Sequence, residues 1–163
     1  MGAGLKFMVD TNAGKLARWL RMMGYDAVFF KDGDDAEMIS QALKEGRVII
    51  TRDHHIVKRW VATSGRLRVV LVTSDQPERQ MQQVISELGL DGHFEPFTRC
   101  LECNQPLGAM PKEAVKRRVP PYVYRTQADF LECPACRRIY WRGSHREAMR
   151  RKLERLFPVD RDR

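Results

Sequence analysis

The chain has 163 residues and a net charge of +8, from 29 Lys and Arg against 21 Asp and Glu. That length allows one domain with its own core plus a small module. No apolar run approaches the ~20 residues that cross a bilayer and no signal-peptide pattern opens the chain, so a soluble protein of the cytoplasm, without a membrane partner, is expected.

The charge is unevenly placed. Residues 1–96 hold 13 basic and 13 acidic residues, and residues 97–163 hold 16 and 8. A basic module attached to a neutral domain points to a polyanion partner such as RNA, although a basic surface also serves solubility alone.

In chain order, Leu5-Lys6-Phe7-Met8-Val9 reads as an apolar strand that runs into Asp10. Residues 12–23 carry Leu16, Trp19, Leu20 and Met23 at helical spacing, with Gly24 as the stop. Ala27-Val28-Phe29-Phe30 is a second strand. Asp34 or Asp35 can cap the next helix, which presents Met38, Ile39 and Leu43 and ends at Gly46. Val48–Thr51 is a third strand, leading to Arg52 and Asp53. His54–Ala62 reads as a short helix with Ile56, Val57 and Trp60 available for packing. Leu67–Thr73 is a fourth strand, and Pro77–Leu88 a helix presenting Met81, Val84, Ile85 and Leu88. Strands alternating with helices predict an α/β domain with a mostly parallel sheet covered on both faces, at residues 1–94. A linker is expected around residues 93–98, a second unit over 95–157 and a disordered tail over 158–163.

Four cysteines form two pairs, Cys100-x-x-Cys103 and Cys133-x-x-Cys136, separated by 29 residues. Each pair can sit on a tight turn, and four thiolates close a tetrahedral structural zinc site. Such a shell has no open position, so its expected role is to fold a module too small for its own core. The Ile139-Tyr140-Trp141 strand fits a zinc ribbon. Basic and aromatic residues interleave around it, and Arg137, Arg138 and Arg142 are candidate RNA contacts, as are Lys15, Arg18, Arg21 and Arg52 in the first unit. For many of the aromatics the competing expectation is simply a place in the ribbon's core. Residues 144–156 form a basic helix with Met149, Leu153 and Leu156 as its inner stripe.

Asp10 and Asp53 both follow strands, and in an open parallel sheet the strand ends share one ligand-binding edge. Asp35 opens the helix between them. Clustered carboxylates repel unless a cation neutralises them, and Mg²⁺ or Mn²⁺ suits all-oxygen ligands. Asp10, Asp35 and Asp53 are therefore the candidate catalytic metal ligands. Asp75, after the fourth strand, is a further candidate, although capping of the Pro77 helix competes for it. His54 and His55 are expected to be exposed.

Val9-Asp10, Gly14-Lys15-Leu16-Ala17-Arg18-Trp19-Leu20-Arg21, Gly24-Tyr25-Asp26, Thr51-Arg52-Asp53, Thr98-Arg99-Cys100-x-x-Cys103-Asn104 and Tyr140-Trp141-x-Gly143-Ser144-His145 together resemble the Mut-seven C-terminal RNase domain family. The resemblance spans roughly residues 5–149. It implies a PIN-like, three-layer nuclease domain fused to a zinc ribbon, and a metal-dependent ribonuclease whose acidic positions fall on Asp10, Asp35 and Asp53. Transfer and ribosomal RNA are candidate substrates. PIN-like relatives often carry an acidic residue two places after the Thr-Arg-Asp aspartate; here that position is His55. Two other readings stand beside the ribonuclease: a non-catalytic RNA- or ribosome-binding protein with a vestigial acidic site, and a toxin-type nuclease held by a protein partner.

Overall fold

A computed structural model describes residues 4–91 and 98–157. The four apolar runs become β1 (Lys6–Val9), β2 (Asp26–Phe29), β3 (Val48–Thr51) and β4 (Val69–Leu71), all parallel, in the order β2-β1-β3-β4. The connection from β1 to β2 contains a 3₁₀ turn (Thr11–Ala13) and α1 (Lys15–Met22). α2 (Asp35–Glu45) joins β2 to β3, α3 (His54–Val57) and α4 (Trp60–Thr63) join β3 to β4, and α5 (Pro77–Leu88) follows β4.

The two central strands have apolar side chains on both faces, and strand periodicity sorts them. Phe7, Val9, Ile50 and Val70 face Leu16, Leu20, Met81 and Val84 of α1 and α5. Met8 and Ile49 face Met38, Ile39, Ala42 and Ile56 of α2 and α3. The chain steps from β1 to one neighbour, β2, then crosses to the other, β3. The strand order thus switches direction at β1, and the crevice beyond the ends of β1 and β3 is the expected ligand position for such a sheet.

β5 (Gly108–Met110), β6 (Phe130–Glu132) and β7 (Ile139–Trp141) form a second, antiparallel sheet. α6 (Lys112–Val115) and α7 (Pro121–Thr126) lie between β5 and β6 and close a small core of Val115, Val119 and Phe130. α8 (Ser144–Glu154) then turns back toward the parallel sheet. Its Met149 and Leu153, with Leu156 beyond it and Leu101 and Tyr140 from the cysteine module, join the main core. The α/β architecture with an appended cysteine module is as the sequence implies, but the two parts share apolar packing.

Four expectations need correction. The helix over residues 12–23 is broken at Gly14 into the 3₁₀ turn and α1, and the helix over 54–62 is two separate turns. Leu43 is 40% exposed, because the buried stripe of α2 runs through Met38, Ile39 and Ala42 and leaves position 43 rotated off it. Trp60 is 63% exposed, since Val61 and not Trp60 turns toward the core. Of the expected linker at 93–98, residues 93–97 lie outside the described residues, as does the tail at 158–163. Among the described residues no helix is long and apolar enough to cross a membrane.

Candidate active site and metal centre

Asp10 follows β1 directly, and its backbone N–H donates to Ile50 O at 2.9 Å, extending the β1–β3 ladder by one rung. One carboxylate oxygen accepts from Thr11 N at 2.8 Å. The other accepts from the Thr51 hydroxyl at 2.8 Å. Thr51 ends β3 and is fully buried. Its hydroxyl oxygen in turn accepts from Asp53 N at 3.0 Å. One buried hydroxyl therefore ties the two strand-end aspartates together. The Asp53 carboxylate caps α3 by accepting from His55 N at 2.9 Å, and Asn12 Oδ1 holds Arg52 N at 3.0 Å. The sequence reading missed Thr51 and Asn12 as partners of this site. The signal for Thr51 was present, because it is the first residue of the Thr-Arg-Asp triplet on a continuously buried strand.

Asp34, and not Asp35, caps α2, accepting from Glu37 N at 2.8 Å. Asp35 occupies the first helical position, half-buried, and its carboxylate is not used for capping. Among the described residues Asp10, Asp35 and Asp53 do not draw their carboxylate oxygens within 4.8 Å of one another as a group. Asp75 is exposed and does not cap α5: the cap position is Gln76, and Ser74 Oγ accepts from Gln76 N at 3.0 Å. His54 and His55 are exposed.

The four cysteines do converge. Their Sγ atoms all lie within 4.8 Å of one another, with Cys100 and Cys136 3.6 Å apart. A tetrahedral shell with Zn–S bonds of about 2.3 Å requires sulfurs about 3.8 Å apart, so the donor set and its spacing fit zinc. The two halves are built alike. Asn104 N donates to Cys100 O and Arg137 N to Cys133 O, each at 2.9 Å; Cys100 N donates to Gln105 O and Cys133 N to Arg138 O. Asn104 and Arg137, at matching places, take left-handed backbone angles of φ 68° and 67°. A backbone hydrogen bond from Arg138 leads in lowering Cys136 to about 7, whereas hydrogen bonding to Cys136 leads in pushing Cys103 to about 12. The Tyr140 hydroxyl sits 3.0 Å from Cys100 Sγ and accepts from Leu101 N at 3.1 Å, which ties β7 to the first cysteine turn.

The candidate RNA contacts divide sharply. Arg21 is only 6% exposed; it donates to Ala27 O at 2.9 Å and Leu101 O at 2.8 Å. Burial lowers its pKa. It is a bridge from α1 to β2 and to the first cysteine turn, and the expectation of an RNA contact there is corrected. Arg18 pairs with Glu102, and Arg137 with Glu132, which also binds Arg118. Hydrogen bonding from Arg118 leads in holding Glu132 below the usual carboxylate range. Lys15, Arg52, Arg138 and Arg142 are exposed. Arg138 joins Arg18, Arg118, Arg137, Met22 and Trp141 around a groove of about 540 Å³ between α1 and the second sheet.

No curated protein and no solved structure matches the chain. The strand-end aspartates on a parallel sheet, the buried threonine between them and the two cysteine turns nevertheless occur together, and a family model for the Mut7-C RNAse domain matches residues 5–153, nearly the whole length. The chain belongs to that family.

Proposed function

We propose that this protein is a divalent-metal-dependent ribonuclease that hydrolyses RNA phosphodiester bonds at Asp10, Asp35 and Asp53. The observation that supports it most is the Asp10–Thr51–Asp53 link at the point where the strand order reverses. Asp10 Oδ2 accepts one hydrogen bond, from Thr51, and keeps a further lone pair, while Oδ1 accepts from Thr11 N at 2.8 Å and from Thr11 Oγ1 at 3.4 Å. Asp53 spends one oxygen on α3, and Asp35 is freed by Asp34. An all-oxygen donor set of this kind suits Mg²⁺ or Mn²⁺. Such an ion, when bound, makes a water nucleophilic near neutral pH and stabilises charge on the phosphate. Thr51 orients the Asp10 carboxylate and fixes the backbone of Asp53, whose own carboxylate is held by His55 N. Asp75 stands as a reserve ligand. The expected products are a 5′-phosphate and a 3′-hydroxyl.

Residues 1–94 form the nuclease unit in this reading. Residues 95–157 form a zinc ribbon that holds its fold through Cys100, Cys103, Cys133 and Cys136 and adds RNA contacts through Arg138 and Arg142. A shell of four thiolates suits the reducing cytoplasm.

The test is cleavage of a labelled single-stranded RNA with Mn²⁺, with Mg²⁺ and with EDTA. Cleavage should need metal, and Asp10→Asn or Asp53→Asn should lower it by at least a hundredfold while RNA binding persists. Unchanged turnover in Asp53→Asn would sink the proposal. A second reading, an RNA- or ribosome-binding protein without catalysis, draws on the three aspartates not meeting as one ligand cluster among the described residues. It expects salt-dependent binding with no metal-dependent cleavage.

A further inference from the structure

We propose that the connection between β3 and β4 is the arm on which single-stranded RNA lies, with the exposed indole of Trp60 stacking one unpaired base. The inference rests on RNA being the partner, as in the reading above, but not on catalysis.

Three observations carry it. First, Trp60 is one of three large hydrophobic side chains among the described residues that are strongly exposed. An indole left in water forgoes the burial its size offers, and it lies open where a flat partner can cover it.

Second, the ring is already presented for stacking. The Arg66 guanidinium lies over it, 4.8 Å from the centroid. Both residues are positioned by neighbours that pack inward, Val61 partly buried and Leu67 buried. Val61 packs on the second face of the sheet, Leu67 is 3% exposed in the same cluster, and Leu67 N donates to Val61 O at 2.8 Å. Ser64 N closes the turn onto Trp60 O at 2.8 Å. With the inward residues anchored, Trp60 and Arg66 face outward as a fixed pair.

Third, the connection that carries the ring is rich in open charge. Residues 52–68 contain Arg52, Lys58, Arg59, Arg66 and Arg68 against one carboxylate, Asp53, and all five cations are exposed. Among the described residues none of the five side chains forms an ion pair, whereas Arg18, Arg118, Arg137 and Arg150 each do. Unpaired cations are the ones left to neutralise phosphates. An aromatic face among them is the combination used for unpaired bases, worth about 1–3 kcal/mol per stacked base. The arm begins at Asp53, so a strand lying along it leads toward the proposed catalytic crevice.

The test uses the full-length protein with its zinc, in EDTA-free buffer lacking Mg²⁺ and Mn²⁺, so that binding is read without turnover. The probe is a single-stranded oligoribonucleotide with one 2-aminopurine, with the same strand in a duplex as the comparison. Trp60→Ala should weaken single-strand binding about 5- to 150-fold, the range that such a stacking energy implies. It should abolish the quenching of 2-aminopurine and leave duplex binding within about twofold. Trp60→Phe should restore most of both signals. Equal binding by Trp60→Ala and wild type, or equal losses for single strand and duplex, would overturn the inference, as would a wild-type protein that binds neither RNA. Cleavage by the same variants separates the two proposals. Binding through Trp60 without metal-dependent cleavage leaves the arm standing and removes the nuclease. Cleavage that is indifferent to Trp60 does the reverse.

Discussion

The Asn104 side-chain amide donates to the Asp26 carboxylate at 2.7 Å, while its carbonyl accepts from Ala27 N at 3.0 Å. A residue from the first cysteine turn thereby satisfies the outer edge of β2. Asn suits the position because it tolerates the left-handed backbone found there. Asn104→Gly keeps that backbone conformation and deletes both bonds. It should cost about 1–3 kcal/mol, the usual penalty for stranding a partly buried polar group. Asn104→Asp should cost more, because it places a second carboxylate against Asp26. Urea unfolding of the two variants checks the order.

Asp26 also accepts from Arg47 Nη1 at 2.7 Å, and Arg47, 8% exposed, reaches on to Phe7 O at 3.2 Å. Burial pushes the Asp26 carboxyl up, but the bonds from Arg47 and Asn104 and the charges of Arg47 and Arg99 outweigh it and leave it below 3.8. A depressed carboxylate stabilises the fold above its ordinary value and loses that contribution as pH falls through the lower folded value. The stability advantage of wild type over Asp26→Asn should therefore be constant near neutral pH and shrink below about pH 4. Thermal melts of both proteins across that range measure it.

Thr51→Val removes the hydroxyl that joins Asp10 to Asp53 and keeps the side-chain shape. Asp53 N then loses its acceptor, and the Asp10 carboxylate is free to rotate. Supporting groups of this kind typically change metal affinity or activity by about 10–100-fold. The expected result is a folded protein with cleavage reduced over that range and weaker Mn²⁺ binding. Thr51→Ser, which keeps the hydroxyl, should recover most of the activity.

Purified protein should carry about one zinc per chain, as expected of a four-cysteine shell. Removal by a strong chelator, or replacement of Cys133 by Ser, should melt the second sheet and expose the thiols, because the ion's binding energy is folding energy here. In the stripped protein all four thiols, shielded while they ligate the ion, should become open to alkylation at neutral pH. Metal quantitation and mass-mapped alkylation report both effects.

The strands were legible in the sequence because both faces of this sheet are covered, so each strand is a short unbroken apolar run. The cysteine shell was legible from its spacing. Less visible was what depends on side-chain direction. Leu43 and Trp60 look like core residues by composition, yet the stripe of α2 and the turn after α3 rotate them outward. Arg21 looks like a surface cation, but two carbonyls from different parts of the chain accept its protons, one of them 80 residues away. The pairing of Arg118 and Arg137 with Glu132 likewise follows from the second sheet's register and has no local signal. Net charge by chain half therefore located the excess charge but not the cations left open.

β2 is an outer strand, and such strands offer unpaired N–H and C=O groups to any other chain. Here Asn104 occupies Ala27 N and Arg21 occupies Ala27 O. The first cysteine turn thus serves as an edge guard, and an ion held by the four sulfurs would fix that guard in place. A chain shortened to residues 1–94 would lose the guard along with Leu101, Leu153 and Leu156 from its core. Aggregation of that fragment, or of full-length protein under chelation, would reflect strand addition at β2.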